Sequence, residues 1–119
     1  AGMKRQHGRN FVFFDAPVVL FITLDKDMET GSWMDTGMFI QTVMIAARAL
    51  GLHTCPQAAL SSYPNIVRRH LQIADDQIIA CGISLGYEDT RHPANQFSTS
   101  RLEVDEFTVF HADVQEKTP

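Results

Sequence analysis

The sequence predicts an α+β fold, a layered α/β sandwich around a buried central helix, and three observations carry that expectation. The run GSWMDTGMFIQTVMIAARAL, from Gly31 to Leu50, is apolar almost all round, so as a helix it needs cover on nearly every side. VVLFITL, from Val18 to Leu24, is a continuous apolar run with β-branched residues, the pattern of a strand covered on both faces. The order of elements reads β-α-β-α-β-loop-β, which suits helices packed on a sheet but leaves the strand order open.

Taken in order, residues 1–10 form a polar N-terminal segment without a usable pattern, and residues 11–119 read as a single domain. Lys4, Arg5 and Arg9 are expected to be solvated, and Phe11 to Phe14 to be a short extended aromatic piece. After the strand at Val18, Asp25 to Gly31 is a polar connection into the long helix. Ser32 is expected to cap it, with Asp35 three residues on adding negative charge where the first N–H groups lack partners. Gly51 offers the left-handed position that ends a helix, and Leu52 can fold back on the last turn.

Thr54 to Leu60 is a second short extended segment, and Pro56 within it points to an edge strand or an irregular turn. Pro64 suits the first turn of a second helix. Ile66, Val67, Leu71 and Ile73 fall on one side of it, and Arg68, Arg69 and Gln72 on a solvated one. QIIACGISLGY, from Gln77 to Tyr87, reads as a third strand, with Gly82 and Gly86 marking close approach or bulges. Glu88 to Ser100 is a loop, and Leu102, Val104, Phe107 and Val109 are expected in an outlying strand before a polar tail.

The central helix also predicts assembly. In a monomer its apolar surface would exceed what lone chains usually expose, so a second copy is expected to cover it, with Phe39, Val43, Met44 and Ala47 near the contact. Ile45 and Leu50 are expected between helix and sheet.

Composition narrows the function classes. Hydrophobic residues make up 45% and charged residues 20%, which fits a globular domain. A net charge of −4 argues against nonspecific binding to nucleic acid or anionic membranes. The stretch Met38 to Leu52 is too short to span a bilayer and is interrupted by Gln41 and Arg48. Cys55 and Cys81 make no disulfide framework, no secretory signal is visible, and a cytoplasmic setting is expected.

Several segments in order carry a resemblance: FFDAPVVLFITLD, GSWMDTGMFIQTVMIAARALGLHTCPQA, IIACGISLGY and STSRLEVDEF. Together, from Phe13 to His111, they resemble the C-terminal half of the FMN-dependent nitroreductase family, most closely the branch that reduces nitrobenzoates. The resemblance implies a nitroreductase-like sandwich with the N-terminal part of the family fold missing. It also implies a homodimer, FMN bound at the dimer interface, NAD(P)H as electron donor, and nitroaromatic or quinone-like acceptors. The cofactor carries the chemistry in such enzymes, so no catalytic side chain is expected.

By the same resemblance, Pro56, Gln57, Ala58 and Ala59 match the family segment that runs along the isoalloxazine ring. A backbone N–H at Gln57 or Ala58 would donate toward N5, so the Gln57 side chain is expected to matter less than its peptide. Arg101, flanked by Thr99 and Ser100, matches a position that contacts the FMN phosphate. Family members are about twice as long, and Arg5 and Arg9 do not reproduce the Arg-x-Ser-x-Arg type segment of their first half. The residues therefore read as a truncated or partial chain that lacks full activity alone.

Blander readings stand beside these. Arg101 could pair with Glu103 or Asp105 at the surface, and Pro56 to Ala59 could be an ordinary turn. Trp33 and Phe39 read as core residues rather than a substrate pocket. His53 and Cys55 lack a second ligand pair for zinc, and Cys55 reads as a packed small residue. The rival functions are a non-catalytic dimerisation or flavin-binding remnant, and an unrelated α+β domain that binds an apolar ligand.

Overall fold

Three antiparallel strands, β1 (Val18–Asp25), β2 (His53–Gln57) and β3 (Gln77–Gly86), form one sheet in the order β1-β3-β2. The computed structural model describes residues 2–111. The most buried strand, β3, takes the centre, so β1, expected to be covered on both faces, lies at one edge and is only half-buried; Pro56 sits on the other edge strand, β2, where a missing N–H costs no ladder bond on the outer side. Ile83, 0% exposed, lies between Leu20 on one neighbour and Pro56 on the other. The β1–β3 register shifts between Ile22 and Thr23, and Ala80 is left without an opposite residue.

Gly82 and Gly86 mark close approach rather than that bulge. They share one face of β3 with Ser84. A Cβ on Gly82 would strike Leu60 Cδ1, and one on Gly86 would lie 2.7 Å from Pro17 Cδ. Chain segments outside the sheet therefore rest directly on the backbone of the central strand.

The long helix, α2, spans Thr30–Ala49. It begins earlier than expected, with Glu29 at the cap position and no side-chain cap bond. Ser32 falls inside the first turn, where its hydroxyl donates to Met28 Sδ at 3.4 Å, so its expected capping role is corrected. The far end matches expectation. Gly51 has φ of 77°, its N–H donates to the Arg48 carbonyl at 3.0 Å, and the Leu52 N–H donates to the Ala47 carbonyl at 2.9 Å.

The face assignment of α2 is reversed. Thr36, Ile40, Val43, Met44 and Ala47 are the less exposed positions, at helical spacing, while Ile45 is 60% and Leu50 77% exposed. Ile45 is two residues beyond Val43, about 200° around the helix, so the two cannot share an inward face. Val43, Met44 and Ala47 thus belong to the inner stripe, and the outer one carries Met34, Met38 and Ile45. Trp33 and Phe39, expected as core, are exposed within this chain. Only Ala47 of α2 is fully buried, so the cover this helix requires must come from outside these residues.

Before the sheet, Gly2–Gly8 forms helix α1, and Arg9–Asp15 follows as a kinked 3₁₀ segment. The extended aromatic piece is therefore corrected: Phe13, Phe14 and Asp15 have φ of 54°, 53° and 61°. Aromatic packing overrides strand propensity here. Phe11 meets Tyr63 edge-on at 5.3 Å, Phe13 meets Phe21 at 6.3 Å, and an Arg9–Asp15 ion pair of 2.7 Å closes the turn.

Helix α3 (Pro64–Leu71) starts on Pro64 as expected and ends at Gln72 in the left-handed conformation. Arg68 is not on its solvated face. Its guanidinium folds onto β3 and donates to the Gln77 carbonyl, and its Nε is buried without a partner among the described residues.

Contacts divide the chain after Glu88, whereas the sequence reading placed its boundary at residue 10. In the second unit the expected strand through Leu102 and Val109 is replaced, among the described residues, by the single helical turn α4 (Val104–Phe107). Glu103 and Glu106 form a reciprocal capping box, and two acidic residues in the first turn favour the helical choice over the strand. The expected polar tail beyond His111 lies outside the described residues.

Candidate functional site

The end of β2 is the most constrained polar point of the first unit. Gln57 closes the strand opposite Gly82, and the 3₁₀ segment Ala58–Ser62 turns away from it. Leu60, buried, fills the space that the missing Gly82 side chain leaves. The Ser61 hydroxyl donates to the Ala58 carbonyl at 2.8 Å and tightens the turn.

Gln57 is 3% exposed, and its side chain points inward. Its Nε2 donates to both the backbone carbonyl and Oδ1 of Asn10, each at 3.1 Å. Its Oε1 accepts from the Ser84 hydroxyl, and Ser84 is itself 4% exposed. The amide orientation follows from chemistry, because a backbone carbonyl can only accept and so requires the NH₂ group on that side. Asn10 continues the chain of bonds, donating from Nδ2 to the His7 carbonyl at 2.9 Å. Buried polar groups are tolerable when satisfied in this way.

With Gln57 turned in, Pro56 and Ala58 are exposed and Ala59 is half-buried. Of the four expected ring-facing residues, Pro56, Ala58 and Ala59 thus present small side chains on one surface segment, with Gln57 buried between them.

Arg101 lies in the second unit, exposed, in the loop before α4. Its Nη1 donates to the Thr99 and Ser100 carbonyls, at 3.3 and 3.0 Å, and to the Thr99 hydroxyl. All three acceptors are neutral. Neither Glu103 nor Asp105 pairs with it, since Glu103 is engaged in capping α4. The guanidinium charge therefore has no carboxylate partner among the described residues.

His53, at the start of β2, contacts Arg48 Nη1 at 2.8 Å and Glu88 Oε2 at 3.2 Å through Nε2. Cys55, expected as a packed small residue, is exposed, yet partial desolvation raises its thiol pKa, as burial raises that of Cys81, and both shifts disfavour the nucleophilic thiolate. Asp89 is lowered, first by the Arg91 backbone N–H and then by its side chain.

The sequence reading missed Asn10 and Ser84. Gly82-x-Ser84 offered a faint signal, small residues on one strand face, but Asn10 lies 47 residues from Gln57 and only folding unites them.

Comparison with known proteins now decides the class. The model of the Nitroreductase family matches residues 2–87.

The chain belongs to the nitroreductase family.

Among curated relatives of this nitroreductase-family chain, the chloronitrobenzene nitroreductase of Comamonas testosteroni is 44% identical over 109 residues, covering 92% of this chain and 48% of the relative. The 4-nitrobenzoate reductase of Pseudomonas putida is 42% identical, with coverage of 92% and 48%. Among solved structures, the FMN- and NADPH-dependent nitroreductase NfnB from sphigopyxis sp. strain HMH superposes with a TM-score of 0.89 at 34% identity. That match covers 94% of this chain and 50% of the solved one. The chain spans about half the length of the curated relatives it matches.

Proposed function

We propose that the protein to which these residues belong is an FMN-dependent oxidoreductase that reduces nitroaromatic or quinone-like acceptors with NAD(P)H. The observation that carries this reading is the similarity, across some nine-tenths of the chain, to reductases of chloronitrobenzene and 4-nitrobenzoate. When bound, FMN supplies the hydride chemistry between donor and acceptor. The chain's own residues supply position and charge. Pro56, Gln57, Ala58 and Ala59 would lie along the ring, with a peptide N–H at Gln57 or Ala58 donating to it, and Arg101 would hold the phosphate with charge-assisted hydrogen bonds.

The working form is a homodimer in the cytoplasm. Support for the dimer is the outer stripe of α2, where Met34, Met38 and Ile45 are exposed together. A second open apolar surface, a cavity of about 780 Å³ lined in part by Phe13, Val19, Phe21, Phe39 and Leu71, also calls for cover. No helix among the described residues is long and apolar enough to cross a membrane.

A non-catalytic, flavin-binding or dimerising remnant is the second reading, favoured by the half-length match to the relatives. Purification separates them. The complete protein should be yellow and should oxidise NAD(P)H when 4-nitrobenzoate is supplied. A yellow protein without turnover selects the flavin-binding remnant, and a colourless one that ignores added FMN refutes the reductase and leaves only a dimerising remnant.

A further inference from the structure

Deepening the reading above, and resting on it, we propose that the buried chain Asn10–Gln57–Ser84 positions the peptide between Gln57 and Ala58 for the flavin, which makes Gln57 and Ser84 positioning residues. The sequence suggested that the Gln57 side chain was dispensable because the ring contact uses backbone. The geometry points the other way. The contact peptide hangs at the end of an edge strand, with ladder bonding on one side only, where strand ends ordinarily fray.

What holds it is the side chain directed the opposite way. Three hydrogen bonds tie the Gln57 amide to two separate parts of the fold, the central strand through Ser84 and the N-terminal segment through Asn10. A fully satisfied amide in a dry site has one orientation, so the α-carbon it hangs from is fixed, and with it the direction of the next N–H. The small residues around it have the same logic. Gly82 admits Leu60 beneath the turn, and Ala58 and Ala59 keep the outer surface low. One side of the segment is locked, and the other is left bare. A hydrogen bond to a flavin ring nitrogen is sensitive to small errors in donor position, and sites of this kind depend on the groups behind them for that accuracy.

Three substitutions probe the network without touching the exposed surface. Ser84→Ala removes the hydroxyl donor, and Ser84→Thr retains it. Gln57→Glu keeps the acceptor facing Ser84 but sets a carboxylate oxygen against the Asn10 carbonyl and Oδ1. The complete protein and its variants are titrated with FMN, and the midpoint potential of the bound flavin is measured alongside the melting temperature. Ser84→Ala and Gln57→Glu should weaken FMN about tenfold and shift the potential, because a donor to the ring is displaced, and Ser84→Thr should restore both. Variants that melt earlier but hold FMN at the wild-type potential would show the network to be scaffolding only, and would overturn the proposal while leaving the flavin reading intact. A wild-type protein that binds no FMN would overturn both.

Discussion

Replacing Ile83 and Ile45 separately with alanine distinguishes burial within one chain from burial by a second copy. Each change removes three carbon atoms, worth about 0.8 kcal/mol per methylene-sized group, or about 2.4 kcal/mol for complete burial. Ile83 is 0% exposed in the central strand, so Ile83→Ala should incur that loss plus a cavity term, about 2–5 kcal/mol in all, at every protein concentration. Ile45 is 60% exposed in the single chain, so only about 1 kcal/mol of its transfer term belongs to the chain itself. The remaining ~1.4 kcal/mol appears only if a partner covers the outer stripe of α2, and each of two symmetric copies would contribute it. Urea unfolding over a hundredfold range of protein concentration, with sedimentation equilibrium in parallel, reads both terms. Ile45→Ala should weaken self-association while changing monomer stability little. A monomeric wild type, or an Ile45→Ala variant that associates as tightly as wild type, would refute the assignment of this stripe to a dimer contact.

The remaining predictions concern the flavin site, the helix end and a thiol. Arg101→Ala should weaken FMN by about ten- to a hundredfold, from the loss of roughly 1.5–3 kcal/mol of charged hydrogen bonding, while riboflavin, which lacks the phosphate, should be nearly unaffected; equal losses in fluorescence titrations would remove Arg101 from a phosphate site. Gly51→Ala should destabilise by about 1–2 kcal/mol, since φ of 77° is disfavoured for any residue with a Cβ, and thermal melts that match wild type would contradict it. Burial raises the Cys55 pKa, so the folded state prefers the neutral thiol. Its contribution to stability is then complete below the ordinary thiol pKa and is lost as pH rises through the raised folded value. Peptide-resolved alkylation with iodoacetamide should show a midpoint for Cys55 above that of the unfolded chain, and a midpoint at or below it would disprove the desolvation.

Local signals were legible where one segment settles its own conformation. Gly51 ends α2 in a left-handed turn closed by Leu52, Pro64 opens α3, and Pro56 keeps β2 at the edge. The segment proposed to face the ring, Pro56 to Ala59, was legible only as a sequence match. Its physical basis, an inward amide beneath a bare backbone, could not be read from residues that lie far apart in the chain.

What the sequence determined by itself about this protein is its three strands and the two helices between them, its family and its need for cover. Apolar runs, capping glycine and prolines act within a few residues, and the count of apolar side chains on α2 exceeds what one short chain can bury. Only the tertiary structure decided which stripe of α2 faces the sheet, that Phe13 to Asp15 turn rather than extend, that Glu103 and Glu106 convert an expected strand into α4, and that Arg68 folds inward. The physical reason is common to all four. Each choice lies between two local conformations of similar free energy, and contacts made by residues remote in sequence, or reciprocal bonds that require a fixed geometry, tip the balance.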